Sequence, residues 1–335
     1  MRNLLLLVAA AVAAAIVVAA ASAAEAPICT SSCITEYPAP IPVVYNGPFG
    51  IAKGLGDDMW FGDQDTIDRI DRDGNTTTYT VPSPGAAVGW VTEGPDGSMW
   101  FAERGTDKIG RVDNVGNITE YQIPTPNSVP QAIVVSDGIV WFTEQAGNKI
   151  GRLDPTTGNI TEYAIPVPSS APLGLALGSD DALWFTQQDS GGFAAIGRMT
   201  KNGVFTEYPL NPIARPQRIV AGADGALWFT EAVTSKIGRI TTDGQLTEYP
   251  LAPGSRPVGI TTVPGDQAVW FVESGSNAIV RMNLDGTVTN QWTNPSPNSQ
   301  SLQIAAGSNR MLWFTESFLS PTGNKVGRLD PYASG

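Results

Sequence analysis

The chain has 335 residues, with 20 Lys or Arg against 32 Asp or Glu, a formal net charge of −12. No run or patch of basic residues stands out, and clustered positive charge is what displaces counterions from phosphates, so nucleic acid and anionic membrane surfaces are excluded as partners. The chain contains no histidine at all, which removes the commonest general base near neutral pH.

Residues 1–24 read as a secretory signal peptide: Arg2 supplies the charge, Leu4 to Ala20 the apolar run, and Ala21-Ser22-Ala23 the small-residue cleavage site. The apolar run is long, and an uncleaved anchor is the competing reading. A secreted mature protein is expected, free of the membrane after cleavage. Residues 25–33 form a short segment holding Cys29 and Cys33, the only two cysteines. Their spacing in a secreted chain predicts a small local disulfide. Two cysteines cannot build a four-ligand structural zinc site.

From 34 to 331 the sequence reads as one domain. Trp-Phe recurs seven times, at Trp60, Trp100, Trp141, Trp184, Trp228, Trp270 and Trp313, spaced by 40 to 44 residues. That period, with four short apolar runs per unit, marks a β-propeller. The expected fold class is all-β, a seven-bladed propeller of four-stranded blades. Within a unit the strand signals are Pro-x-Gly-Ile, Trp-Phe-x-Glu, Ile-Gly-Arg and Thr-Glu-Tyr, with Asp-Gly turns such as 96–97 and 224–225 between them. The seventh unit stops after its third signal, and a spare ITEY stands at 34–37. The N-terminal strand is therefore expected to complete the last blade and leave no open edge. The Trp-Phe stripe is expected to be blade core. Asn75, Asn117 and Asn159 head N-glycosylation sequons, all at one repeat position.

Strands one and two run antiparallel, so the start of strand one and the end of strand two share a face of the disc. On that face the residue after Pro is read as Phe49, Val88, Gln131, Leu173, Gln217, Val258 and Leu302. Beside it runs a ring of acids, Asp63, Glu103, Glu144, Glu231, Glu273 and Glu316, broken by Gln187. Lys108, Lys149, Lys236 and Lys325 follow Glu103, Glu144, Glu231 and Glu316, so charge pairing across the turn is expected.

The strings WFTE, GNKIGRL (147–153) and ITEYAIPVP (160–168) resemble the virginiamycin B lyase, or streptogramin lyase, family over roughly residues 34 to 330. The resemblance implies a seven-bladed propeller that opens a cyclic depsipeptide at its ester by elimination. It also implies a magnesium ion held by two glutamates, a histidine base and a second histidine at the substrate. Where the family reads Glu-Pro-His-Gly-Ile, this chain reads Gln300-Ser301-Leu302-Gln303-Ile304; where the family reads Arg-Pro-His, it reads Arg256-Pro257-Val258. Leu302 thus stands at the base position and Gln300 at one metal position, and Glu316 alone keeps a carboxylate for Mg2+. Leucine cannot take a Cα proton, so the family mechanism is not expected, and no cofactor is assigned.

The loops 188–194 in unit four and 317–324 in unit seven are longer than their counterparts, and Phe193, Phe318 and Leu319 would form an apolar lip. Arg218 and Gln303 break the small-residue rule of strand one. The candidate ligand site is therefore Gln131, Gln217, Arg218 and Glu316, walled by Phe193 and Phe318. The expected function is a monomeric secreted propeller acting on a small apolar or cyclic molecule, as a lyase-like, lactonase-like or cyclase-like enzyme without a histidine base. The alternative is a non-catalytic ligand-binding or protein-interaction propeller derived from a lyase-like ancestor.

Overall fold

The computed structural model describes residues 33–40, 47–188, 191–316 and 324–332. Seven four-stranded antiparallel sheets are arranged as blades in a ring. β1 (Ile34–Pro38) comes first in the chain, and the first blade follows as β2 (Ile51–Lys53), β3 (Met59–Asp63), β4 (Thr66–Ile70) and β5 (Thr76–Thr80). The second holds β6 (Val88–Glu93), β7 (Met99–Glu103), β8 (Lys108–Val112) and β9 (Ile118–Gln122). The third holds β10 (Pro130–Ser136), β11 (Ile139–Glu144), β12 (Lys149–Leu153) and β13 (Ile160–Ala164). The fourth holds β14 (Pro172–Leu177), β15 (Leu183–Gln188), β16 (Ala194–Met199) and β17 (Phe205–Pro209). The fifth holds β18 (Pro216–Ala221), β19 (Leu227–Glu231), β20 (Lys236–Ile240) and β21 (Leu246–Pro250). The sixth holds β22 (Pro257–Thr262), β23 (Ala268–Glu273), β24 (Ala278–Asn283) and β25 (Val288–Thr293). The seventh runs β26 (Ser301–Ala306), β27 (Leu312–Glu316), β28 (Lys325–Leu329) and then β1. All five residues of β1 pair with β28, from Ile34 opposite Leu329 to Pro38 opposite Lys325. The N-terminal strand therefore clasps the ring, as its spare ITEY foretold.

The repeat grammar has a steric basis. Successive strand residues point to opposite blade faces, so Trp and Phe of each Trp-Phe pair serve different neighbours. Trp100 of the second blade packs with Ile133, Val140 and Phe142 of the third. The glycine of Ile-Gly-Arg lies under its blade's Phe: a Cβ on Gly151 would come within 2.1 Å of Phe142. The arginine of that motif stacks over the Trp, as Arg198 does over Trp184 at 5.8 Å, and pairs with the turn aspartate, Asp180, at 2.7 Å. The same aspartate accepts the Trp184 Nε1 hydrogen bond at 3.0 Å. Asp-Gly turns are tight because their glycines take positive φ, 80° at Gly97 and 77° at Gly225.

Strand one of blades two to seven carries an irregularity one or two residues in, between Pro130 and Ile133 in the third blade, for example. A bulge leaves one backbone N–H without its ladder partner. The threonine of Trp-Phe-Thr takes it. Thr143 Oγ1 accepts from Ala132 N at 3.0 Å and donates to Leu173 O of the next blade at 3.0 Å. Thr186, Thr230 and Thr315 repeat this stitch between blades. The bulged strands thus lie against one another around the axis.

Candidate functional site

The register defines a slot one residue before Ile51, Val91, Ile133, Leu175, Ile219, Ile260 and Ile304, each paired with its blade's Phe. Its occupants are Gly50, Trp90, Ala132, Gly174, Arg218, Gly259 and Gln303. Val88 pairs with Glu103 just as Pro130 pairs with Glu144, so Val88 stands at the proline position and Gly89 at the one after it. The sequence alignment was one residue out in this blade. The physical cause is the missing proline: Ala87-Val88-Gly89 offers no marker for the bulge. The shift hid Trp90, the third large residue of the slot beside Arg218 and Gln303. Anchoring on the strand-two Phe, rather than on Pro, would have exposed it.

Room for these three comes from their neighbours. A Cβ on Gly174 would meet Gln217 O at 2.7 Å, and one on Gly259 would meet Gln303 Cα at 2.8 Å. Around the ring no two large occupants are adjacent. The three meet at the axis: the Arg218 guanidinium carbon sits 3.3 Å from the Trp90 ring centre, and the Gln303 amide, oriented with its oxygen toward the guanidinium as its neighbours require, accepts from Arg218 Nε and Nη2. Trp90 packs edge-on to Phe49 at 5.0 Å, and Arg104 lies over Phe49 at 4.7 Å. Burial, and then the Arg104 charge, pulls the Arg218 value well down from its ordinary level. A guanidinium nonetheless keeps its proton at physiological pH.

Two cavities open on the same face, which carries the turns between strands two and three. One, of about 650 Å3, is lined by Gln145, Gln188, Arg215 and Gln217 and by Gly191 of the long unit-four loop. Gln131 adjoins it through a 2.7 Å bond from its Nε2 to Gln145 Oε1, and Gln217 bonds Gln188 at 3.3 Å. Gln131 Oε1 is buried and unpaired. The other, of about 230 Å3, is lined by Phe49, Gln64, Asp65, Val88 and Arg104. The structure thus brings Gln131 and Gln217 together. Phe193 is half-buried just before β16. Phe318, Leu319 and Cys29 lie outside the described residues, and so do residues 1–24. Cys33 is buried. Asn75, Asn117 and Asn159 are exposed in turns between strands three and four, on the opposite face; Asn75 and Asn117 donate to Asp71 and Asp113.

The acid ring is fully inside. Glu103, Glu144, Glu231 and Glu316 show 0% exposure, as does Gln187. The expected pairing with the following lysine is corrected here. Lys108 bonds Glu120 at 2.8 Å, Lys149 bonds Glu162 at 2.7 Å, Lys325 bonds Glu36 at 2.6 Å, and Lys236 bonds Glu248. The lysine serves the glutamate of Thr-Glu-Tyr because that strand lies on its open side, nearer water. Left without a cation of its own, Glu144 is pushed up to about 8 by burial and then by the Glu162 charge. Glu103 rises to about 7 by burial, opposed by Thr106 and aided by Glu120. Glu316 also rises to about 7, from burial and then Glu36. Burial works against Glu120 too, but Lys108 and Ser83 hold it below its ordinary value.

These residues do not fit the magnesium centre that the family resemblance implies. Glu316 occupies the place that Glu103, Glu144 and Glu231 occupy in other blades, sealed beside Glu36 and Lys325. Leu302 and Val258, which the sequence resemblance matches to the family's two histidines, carry hydrocarbon side chains. Among the described residues no group of three or more His, Cys, Asp or Glu could hold a metal ion.

The family model described as the virginiamycin B lyase family matches residues 19–156 and 133–334. A streptogramin B lyase structure is 36% identical, with a TM-score of 0.81, covering 89% of this chain and 97% of that one. Virginiamycin B lyase from Staphylococcus aureus is 35% identical, with a TM-score of 0.80, over 88% of this chain and 98% of that one. A catalytically inactive histidine-to-alanine variant of that lyase, crystallised with quinupristin, is 36% identical with a TM-score of 0.79, over 88% and 98%. No curated protein matches the chain.

Proposed function

The chain belongs to the virginiamycin B lyase family, and from that premise we propose that it is a secreted propeller that binds a small cyclic or amide-rich molecule on its axial face without the family's histidine-driven elimination. The observation that carries this reading is the axial slot. Trp90, Arg218 and Gln303 fill it, and the sequence resemblance matches Leu302 and Val258 to the family's histidines. A cavity of about 650 Å3 bordered by side-chain amides remains beside them, a size suited to a compact ligand. The amides of Gln131, Gln145, Gln188 and Gln217 match the donors and acceptors of peptide and ester groups. Export is supported by residues 1–24.

Quinupristin, the molecule held by the inactive variant of the Staphylococcus aureus protein, is the natural probe. Calorimetric titration of the mature protein should give saturable binding that Gln217→Ala weakens at least fivefold. Absence of binding by quinupristin and related cyclic depsipeptides would overturn the ligand class. A second reading is favoured by the two axial guanidinium groups: a ring-opening or ring-closing enzyme that polarises a carbonyl through Arg104 or Arg218. Turnover of the probe would select it.

A further inference from the structure

We infer that Arg104 and Arg218 form an anion-binding site at the propeller axis, which takes the carboxylate of a small aromatic or apolar acid. The inference rests on reading this face as the ligand side and adds the charge of the ligand to it.

Arg218 is 8% exposed and forms no ion pair with any described carboxylate. Its neighbours are a tryptophan face and one neutral amide oxygen. Nη1 is buried with no hydrogen-bond partner, and so is Nε of Arg104. The two guanidinium groups interact unfavourably with each other. Four of the arginines on the blade faces, Arg111, Arg198, Arg239 and Arg281, each hold a turn aspartate, whereas Arg152 and Arg328 at the same repeat position lie over their tryptophans on the blade rather than beside a second guanidinium. A buried cation without a counterion is unstable, and two that repel each other are more so. An anion held at Arg104, separated from Arg218 by the packed Phe49 and Trp90 rings, would relieve both deficits.

The geometry selects its type. The unused donor of Arg104 belongs to a planar group, which a carboxylate matches. The cavity of about 230 Å3 on which Arg104 opens is walled by Phe49 and Val88, which suits an apolar body of limited size. Asp65 also lines it, and its charge disfavours a dianion such as phosphate.

The test compares sodium benzoate, neutral benzamide and inorganic phosphate on the wild-type mature protein and on Arg218→Met and Arg104→Met. Benzoate should raise the melting temperature saturably in the wild type, and benzamide and phosphate should not. Its affinity should fall at least tenfold in each variant. Arg218→Met removes an uncompensated charge, so it should fold and melt no lower than the wild type without ligand. Arg104→Met, at a partly exposed position, gives a second folded background. Equal effects of benzoate and benzamide, equal effects of benzoate and phosphate, or undiminished benzoate affinity in both variants would overturn the assignment. Quinupristin binding is measured alongside: if it survives while benzoate fails, the anion site falls and the ligand face stands. If benzoate binds as described and quinupristin does not, the anion site stands and the amide-rich ligand class falls.

Discussion

Replacing Glu144 by glutamine should stabilise the propeller at alkaline pH. Glu144 has 0% exposure, and neither carboxyl oxygen has a hydrogen-bond partner. Its value rises from 4.5 to about 8. A carboxyl raised in this way holds its proton more tightly folded than unfolded. Its contribution is full below the unfolded value and is lost as pH climbs from about 4.5 through about 8. At about 1.4 kcal/mol for each pH unit of that gap, the loss is capped at about 5 kcal/mol. Water entering around the ionised group brings it to roughly 2–4 kcal/mol. Glutamine keeps the shape of the protonated acid and never ionises. The fourth blade already uses it, since Gln187 sits in the same register position with 0% exposure. Urea denaturation from pH 5 to pH 9 should therefore show a flatter stability profile for Glu144→Gln, with the variant ahead by roughly 2–4 kcal/mol at the alkaline end. Identical pH slopes for the two proteins, or a variant less stable than the wild type at high pH, would refute the placement of a neutral buried carboxyl there.

Removing residues 25–38 should open the seventh blade: it deletes the pairing with β28, the Tyr37–Trp313 stack at 5.8 Å and the Glu36–Lys325 bond at 2.6 Å. A cost of about 3–5 kcal/mol is expected, read as a drop of roughly 10 °C in calorimetry; an unchanged melting temperature would count against the clasp. Cys29 and Cys33 should be recovered as a disulfide from culture medium, and alkylation of two free thiols in the intact protein would contradict this. Gly151→Leu should destabilise by about 2–3 kcal/mol or more, because any Cβ there meets the Phe142 ring; denaturation midpoints report it.

The blade count, the strand order and the closing strand were all legible because the repeat writes each strand seven times and each copy corrects the others. Reading failed where the repeat loses its marker. With valine in place of proline at position 88, the sequence carries no marker for the bulge, and Trp90 is hidden by a one-residue slip. The lysines were assigned to the wrong glutamates because register neighbours were taken as charge partners. A third strand's lysine can turn either way, and burial decides it. That Gln131 and Gln217 share the face of the strand-two to strand-three turns was legible from strand direction alone. The cluster of Trp90, Arg104, Arg218 and Gln303 was not, because its members come from blades far apart in sequence and meet only at the axis.

The proposed function, ligand binding on the axial face without elimination, is open to direct measurement. The direct test is prolonged incubation of purified mature protein with quinupristin, followed by chromatography and mass spectrometry. Elimination opens the ring without changing its mass, whereas hydrolysis adds one water. The cyclic molecule should be recovered unopened at the level of a protein-free control. Enzyme-dependent growth of an isomeric linear product would contradict the central claim and place catalysis in residues other than histidine.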